Sequence, residues 1–278
     1  MEVFKIFLAT ALPFALAGII GRLYSYSDSL LMSKMLTAKE LGWWSVPYKI
    51  TFAFQFVPVA LSASVYPVFS SLFISQRDKI GQLFEKAWRY LFVVVFPLAL
   101  GIIAIADPVV KHAFGAQYAP SIWPLRILLL SLIFGFLTFI TGALLNATNK
   151  QKIQTGLVSV ALVVNIILNL ILLPIFNITG AAIAALVSNV ILCGLGLYFS
   201  TRQVEINLKN IWHYLNQTLW PALVMAVIVY ALSFKLHYLI TIVIGGIVYL
   251  GLLYITKVIT KDIFLMILNK VKLKRKVV

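Results

Sequence analysis

The chain has 278 residues, of which 62% are hydrophobic and only 11% are charged, and its formal net charge is +15. A soluble domain carries about 25% charged residues, so this composition excludes an ordinary soluble enzyme and predicts a membrane protein with lipid as its solvent. The net positive charge would suit a nucleic-acid partner, but no folded soluble module accompanies the basic residues. We therefore expect no nucleic acid to bind.

Eight long apolar runs follow one another along the chain. A helix needs about 20 apolar residues to cross the hydrocarbon core, whereas barrel strands alternate over about ten residues. The runs therefore predict an all-α membrane protein with about eight transmembrane helices. The predicted spans are 4–31, 42–73, 88–110, 123–146, 153–176, 178–200, 213–234 and 238–259. The first run lacks the basic start and cleavage site of a signal peptide and is interpreted as a membrane helix.

Basic residues concentrate on one side of these predicted spans. Of the 23 Lys and Arg residues, 16 lie on the side of the N-terminus and 6 on the opposite side. The positive-inside rule predicts that both termini are cytoplasmic, and an even number of spans agrees with this. The basic tail has two interpretations: orientation with attraction to anionic lipid headgroups, or binding of a specific partner. Its residues are Lys270, Lys272, Lys274, Arg275 and Lys276.

Polar side chains form a stripe on the first span. A charge at mid-membrane costs at least ~2.5–3.5 kcal/mol on insertion scales. On an ideal helix Arg22, Ser25 and Asp28 fall within about 120° of one another. They are predicted to line a wet cavity. The alternative is a structural pairing of Arg22 and Asp28, bridged by neighbouring helices.

The second span carries a similar stripe, which includes Gln55. Three prolines, Pro47, Pro58 and Pro67, are predicted to interrupt this helix, because each removes an internal hydrogen bond. The span is therefore either a moving element or a static kinked helix. Lys49 lies near its outer end, where one interpretation is a structural role in which its amine extends to the interface.

Asn165 and Asn169 lie one turn apart in the fifth span. They are predicted to form hydrogen bonds between helices, and the alternative is contact with a substrate. The sixth span opens with Gly180-Ala181-Ala182-Ile183-Ala184-Ala185. Small residues four apart allow neighbouring helices to approach closely.

Catalytic chemistry finds no support in the sequence. Only Asp28 among the acidic residues lies clearly within a span, so paired carboxylates for acid–base work are missing. Cys193, the single cysteine, sits in an apolar run without metal-ligand spacing and is interpreted as a packing residue. The sequence predicts a protein that is not an enzyme and has neither a cofactor nor a metal site.

Three stretches resemble the polysaccharide-transport flippases of the multidrug/oligosaccharidyl-lipid/polysaccharide exporter superfamily. They are Tyr26-Ser27-Asp28 through Tyr48-Lys49-Ile50 to Pro58 and Pro67; Phe114-Gly115-Ala116-Gln117-Tyr118-Ala119-Pro120-Ser121; and Asn165-Ile166-Ile167-Leu168-Asn169 through Leu173-Pro174 to Gly180-Ala181-Ala182. The resemblance is to the second lobe of that family and its two trailing helices. It implies a six-helix bundle over 1–202, two additional helices over 203–262 and a basic cytoplasmic tail over 263–278.

The resemblance also implies a function. Members of the family flip undecaprenyl-diphosphate-linked sugar units across the bacterial or archaeal cytoplasmic membrane by alternating access of two lobes. The expected partners are thus a lipid-linked oligosaccharide, membrane lipids and either an N-terminal lobe or a second copy of this chain. The cavity-lining candidates are Arg22, Ser25, Asp28, Lys49, Gln55, Asn165 and Asn169, with Arg22 or Lys49 as the cation for the diphosphate.

Three other functions stay open. A cation-coupled drug or metabolite exporter of the same superfamily would use Asp28 as its ion or proton site. An inactive lobe would serve as a scaffold. A membrane-embedded glycosyl-transfer enzyme or polymerase would be expected to carry large polar loops, and the longest loops here have only about fifteen residues.

Overall fold

A computed structural model of the chain describes the backbone of residues 2–256 and 258 and the side chains of residues 17–256 and 258. Ten α-helices occupy this part of the chain: α1 Glu2–Met35, α2 Ala38–Ala53, α3 Phe56–Ser75, α4 Ile80–Ala104, α5 Ala106–Ala113, α6 Ile122–Ala147, α7 Gln151–Phe176, α8 Ile178–Thr201, α9 Leu208–Ser233 and α10 Tyr238–Ile255. No strand occurs among the described residues, which confirms the predicted all-α class. The predicted basic tail lies outside them.

Seven stretches of the described residues are long and apolar enough to cross a membrane. They are Ala38–Ser75, Arg77–Ala104, Ala116–Ala147, Gln151–Phe176, Ile178–Thr201, Leu208–Ser233 and Tyr238–Ile255. They correspond to the last seven of the eight predicted spans. The first predicted span falls within α1, whose 34 residues extend over about 51 Å. Since the side chains of its first half are not described, an eighth crossing stays a prediction.

The second predicted span is two helices, not one. Helix α2 ends at Ala53 and α3 begins at Phe56, and the backbone bonds between them join residues three apart. Pro58 explains the position of this break: it has no N–H to continue the α-helical ladder, and the first turn of α3 tolerates it. Pro47 and Pro67 lie inside α2 and α3 instead. Of the three prolines predicted to interrupt the second span, only Pro58 therefore lies at a break between helices.

Helix α6 forms the centre of the bundle. It packs against α8, α4, α3 and α2, while α1 packs mainly against α7. The side chains of α6 that are essentially inaccessible include Leu125, Leu129, Phe136, Ile140 and Leu144. Burial of one face of each surrounding helix against α6 leaves their other faces for lipid or for the cavity described below.

The last two helices attach to the bundle through α4. Helix α9 packs against α4, and α10 packs against α9. The buried Glu85 on α4 accepts hydrogen bonds from Asn207 N and Asn210 Nδ2, both at 2.8 Å. Tyr249 on α10 donates to Val93 O at 3.1 Å. A buried carboxylate thus fixes the start of α9 through charge-assisted bonds, which are stronger than neutral ones.

Helices α7 and α8 form a tight hairpin, as the small residues at the start of α8 predict. The turn is made by Asn177, whose φ is +56° and whose Oδ1 accepts from Ile178 N at 2.7 Å. A Cβ added at Gly180 would lie 2.4 Å from Leu172 O, a backbone atom that cannot move aside. Only glycine permits this approach.

Replacing Gly180 by alanine is expected to lower the free energy of unfolding by about 1–3 kcal/mol, because overpacking forces the two helices apart. The measurement is the thermal unfolding midpoint of the purified chain in detergent. Gly194→Ala is the matched control, since a Cβ at that position of α8 meets nothing within 4 Å. Equal losses in the two variants would contradict the packing described.

The orientation of the bundle can be tested on α7, whose two ends are predicted to face opposite sides of the membrane. We expect a cysteine at Lys150 to react only with a reagent that enters the cytoplasm. A cysteine at Phe176, the exposed last residue of α7, is expected to react with an impermeant maleimide from outside. The natural Cys193 is buried and gives little background. Labelling of both positions from the same side would contradict the topology.

Candidate functional site

A partly enclosed cavity of about 1150 Å³ lies between α1, α2, α3, α6, α7 and α8. Its lining is mixed, with hydroxyl, carboxamide and aromatic side chains beside aliphatic ones. Among the described side chains that line it, only Arg22 and Asp28 carry a charge. A cavity of this size and composition suits a polar ligand of several rings held by a few placed groups.

Most of the predicted site residues come together here. Those that line the cavity are Arg22, Ser25, Asp28, Gln55 and Asn165. Asn169 is not among the lining residues, since it is fully buried behind Asp28. Lys49 is exposed on α2 and is not among the lining residues either. The stripes predicted on the first and second spans thus face one cavity.

Two asparagines of α7 hold the carboxylate of Asp28. Asn165 and Asn169 are one turn apart on α7 and therefore project on the same face, towards α1. Asn165 Nδ2 donates to Asp28 Oδ1 at 3.0 Å, and Asn169 Nδ2 donates to the same oxygen at 2.7 Å. Ser27 donates to Asn165 Oδ1 at 2.6 Å. The predicted hydrogen bonds between helices are confirmed, and they join α1 to α7.

Arg22 takes no part in this cluster. It forms no ion pair with Asp28; the single ion pair among the described side chains is Lys111–Asp107, at 2.9 Å on the surface of α5. A direct Arg22–Asp28 ion pair is therefore absent among the described side chains, and α7 holds Asp28 instead. The guanidinium is exposed at the cavity, where its donors are available for an anionic group.

A second polar chain runs across the cavity wall and was missed in the sequence. Tyr24 donates to Asn189 Oδ1 at 3.1 Å, and Asn189 Nδ2 donates to Ser131 Oγ at 2.9 Å. These residues come from α1, α8 and α6. An asparagine in the middle of an otherwise apolar span was the available signal for Asn189, while Tyr24 and Ser131 carry no sequence signal of their own.

Aromatic side chains line the part of the cavity next to α2. Tyr48 and Phe52 are one turn apart, and their rings stack with centroids 5.8 Å apart and planes 19° apart. Trp44 and Tyr66 also line the cavity. Flat apolar faces beside hydrogen-bonding groups match the two kinds of surface that a sugar ring presents.

The groups that line the cavity can bind a ligand through hydrogen bonds and ring contacts. The carboxylate of Asp28 is occupied by two amide donors, and no group of three or more His, Cys, Asp or Glu side chains that could hold a metal occurs in the described part of the chain. The described part of the lining provides one unpaired cation, several neutral hydrogen-bond donors and acceptors, and aromatic faces. Such a set can bind a ligand that has both an anionic and a hydroxyl-rich part.

Comparison with known sequences gives a consistent set of relatives. A family described as "Polysaccharide biosynthesis protein" matches residues 1–123. "Probable low-salt glycan biosynthesis flippase Agl15" of Haloferax volcanii is 25% identical over 173 residues, which cover 62% of this chain and 37% of that protein. A protein assigned as an O-antigen transporter of Shigella flexneri is 23% identical over 169 residues, or 60% of this chain and 40% of its own length. The matched segment thus spans about two fifths of these relatives.

Solved structures show the same fold. Lipid II flippase MurJ in an inward closed conformation superposes with a TM-score of 0.73 and 20% identity, covering 90% of this chain and 54% of its own. An outward-facing multidrug resistance transporter of the MATE family superposes with a TM-score of 0.58 and 15% identity, covering 87% of this chain and 62% of its own. The fold is that of all-α membrane transporters, and the chain corresponds to part of each.

Proposed function

Since this chain is a relative of the polysaccharide flippases of the multidrug/oligosaccharidyl-lipid/polysaccharide exporter superfamily, we propose that it forms one lobe of a transporter that flips lipid-linked sugar units. The observation that carries the proposal is the cavity whose described lining holds a single unpaired cation, Arg22, among neutral hydrogen-bonding and aromatic groups. A polyprenyl diphosphate linked to a sugar combines the same two chemistries, because guanidinium groups bind phosphates well. The transporter itself makes and breaks no bond, so the chain is not an enzyme.

The proposal includes an opposing lobe. Alternating access requires two bodies that rock about a site between them, and the matched relatives are more than twice as long as the matched segment. We infer that residues 1–202 are the C-terminal lobe and that 203–262 are trailing helices. The first lobe is then either another part of the same protein or a separate subunit. One alternative is that a second copy of this chain takes the place of the first lobe. Another is that the chain is an inactive lobe.

The proposed location is the bacterial or archaeal cytoplasmic membrane, with both termini on the cytoplasmic side. The 16-to-6 asymmetry of basic residues supports this orientation. In this orientation α1 and α7 both run outward, and the α6–α7 turn faces the cytoplasm. The sugar unit is loaded from that side, where the basic loops also attract anionic headgroups.

A second candidate is cation-coupled export of a drug or metabolite. The observation that favours it is the arrangement at Asp28: Asn169 Oδ1 is buried beside this carboxylate and has no hydrogen-bond partner among the described residues. Oxygen atoms of a carboxylate and a carboxamide are ligands for hard cations. Asp28 would then be the coupling site, and Arg22 would have no anion to bind.

The two candidates differ in the substrate that crosses the membrane. The test uses vesicles that contain this chain with a co-expressed first lobe. Movement of a fluorescent lipid-linked oligosaccharide between leaflets is compared with efflux of a cationic dye. We expect flipping of the lipid-linked sugar and no dye efflux above protein-free vesicles. Dye efflux driven by a sodium or proton gradient, without flipping, would overturn the proposal in favour of the exporter.

A further inference from the structure

Two carboxamides occupy the end of the cavity next to the α6–α7 turn, away from the Asp28 cluster. Gln154 on α7 and Asn146 on α6 both line the cavity. Along α7, Gln154 lies about 16 Å from Asn165. The polar chain of Tyr24, Asn189 and Ser131 does not include either residue. These carboxamides therefore form a polar surface of their own.

Both groups have hydrogen-bonding capacity that the fold does not use. Gln154 Oε1 is buried and has no partner among the described residues. The side chain of Asn146 is exposed and makes no hydrogen bond with a described residue. A buried acceptor without a donor is unfavourable and uncommon in folded proteins. The position thus favours a ligand that forms hydrogen bonds with the two carboxamides.

Glycines leave room for such a ligand. Gly142 lies one turn before Asn146 on α6, and a Cβ there would come within 3.0 Å of Gln154 Nε2 and 3.7 Å of Oε1. Gly18 of α1 also lines the cavity, and a Cβ there would meet nothing within 4 Å. The amide of Gln154 therefore fills the space that Gly142 leaves on α6, and the open space for a ligand lies at Gly18 of α1.

We propose that Gln154 and Asn146 form a subsite for an uncharged sugar ring of the lipid-linked unit, an inference that rests on the proposed function. Each carboxamide supplies a donor and an acceptor, which pair with sugar hydroxyls. No charged side chain of the described lining lies on α6 or α7, so the ring bound here is neutral. Arg22 on α1 remains for the diphosphate.

The test measures binding of two probes to the full chain with its co-expressed first lobe in nanodiscs: bare undecaprenyl diphosphate, and undecaprenyl diphosphate carrying one N-acetylglucosamine. The ratio of their dissociation constants isolates the contribution of the sugar. We expect the wild-type chain to bind the sugar-bearing probe about 10-fold more tightly, as a few net hydrogen bonds would give. Gln154→Leu and Asn146→Ala are expected to reduce the ratio to below about 2 and to leave binding of the bare probe unchanged.

Gln151→Leu is the matched control, because Gln151 is exposed on the same helix outside the cavity lining; it is expected to keep the wild-type ratio. Asn146→Ala is not expected to disturb folding, since that side chain makes no hydrogen bond with a described residue. A loss of the ratio in this variant therefore cannot be attributed to misfolding. A ratio that persists in both variants would overturn the subsite while the proposed function stands. Failure of the wild-type chain to bind either probe would overturn the proposed function and the subsite together.

Discussion

Replacing Asp28 by leucine is expected to lower the free energy of unfolding by about 2–4 kcal/mol. The substitution leaves Asn165 Nδ2 without an acceptor among the described residues, and a buried donor without a partner costs about 1–3 kcal/mol. Asn169 Nδ2 loses one acceptor but keeps Asn165 O, at 2.9 Å. It also removes the main polar connection between α1 and α7. The measurement is the thermal unfolding midpoint in detergent, with equilibrium unfolding in a mixed micelle as the second readout.

Two further variants separate geometry from charge at this position. Asp28→Asn keeps an oxygen that can accept from both asparagines, so it is expected to retain most of the stability that Asp28→Leu loses. Asp78→Leu makes the same change at an exposed aspartate outside the bundle and is expected to be nearly neutral. If Asp28→Leu were as stable as Asp78→Leu, the cluster would not hold α1 to α7.

Replacing Arg22 by alanine is expected to reduce flipping of a lipid-linked sugar by about 10- to 100-fold, because charge-assisted hydrogen bonds contribute about 1.5–3 kcal/mol. Stability should not change, since Arg22 makes no hydrogen bond or ion pair with any described residue. Arg22→Lys keeps the charge but loses the planar guanidinium that can form two parallel hydrogen bonds with a phosphate. Its flipping rate is therefore expected to lie between those of the wild-type chain and Arg22→Ala. Initial flipping rates in reconstituted vesicles, with the opposing lobe present, provide the measurement.

Lys49→Ala is the control that the geometry supplies for this experiment. Both residues were cation candidates in the sequence, but Arg22 lines the cavity and Lys49 does not. We therefore expect Lys49→Ala to change the rate by less than about twofold, the range of an exposed charge. Equal losses in the two variants would show that the diphosphate is not bound at the position that the cavity indicates.

The fold was predictable from the sequence to a large extent, and the reason is physical. Each apolar run must be helical because lipid leaves no other partner for the backbone, so seven spans could be located from hydropathy alone. The close α7–α8 hairpin followed from Gly180 and its small neighbours. The break near Pro58 was less predictable, because Pro47 and Pro67 carry the same local signal yet lie inside helices.

Residues of the site could be predicted only where a charged or polar side chain lies within an otherwise apolar span. Arg22 and Asp28 stood out because charges are expensive in a membrane, and periodicity placed Ser25 and Gln55 beside them. The periodicity of a helix does not predict which side chains of different helices form hydrogen bonds with one another. Asp28 meets two asparagines that follow it by more than 130 positions, rather than the nearby Arg22. Tyr24 and Gln154 were missed because single tyrosines and glutamines are common in membrane helices without a role.

Reconstituted flipping with and without an opposing lobe tests most directly the proposal that this chain is one lobe of a sugar-lipid flippase. Vesicles would contain a labelled lipid-linked oligosaccharide, with either the chain alone or the chain with a co-expressed first lobe. We expect no flipping above background from the chain alone, since Arg22, Asp28 and Gln55 would line a half-built cavity, and robust flipping when the first lobe is present. Robust flipping by the chain alone would contradict the single-lobe account and favour a homodimer.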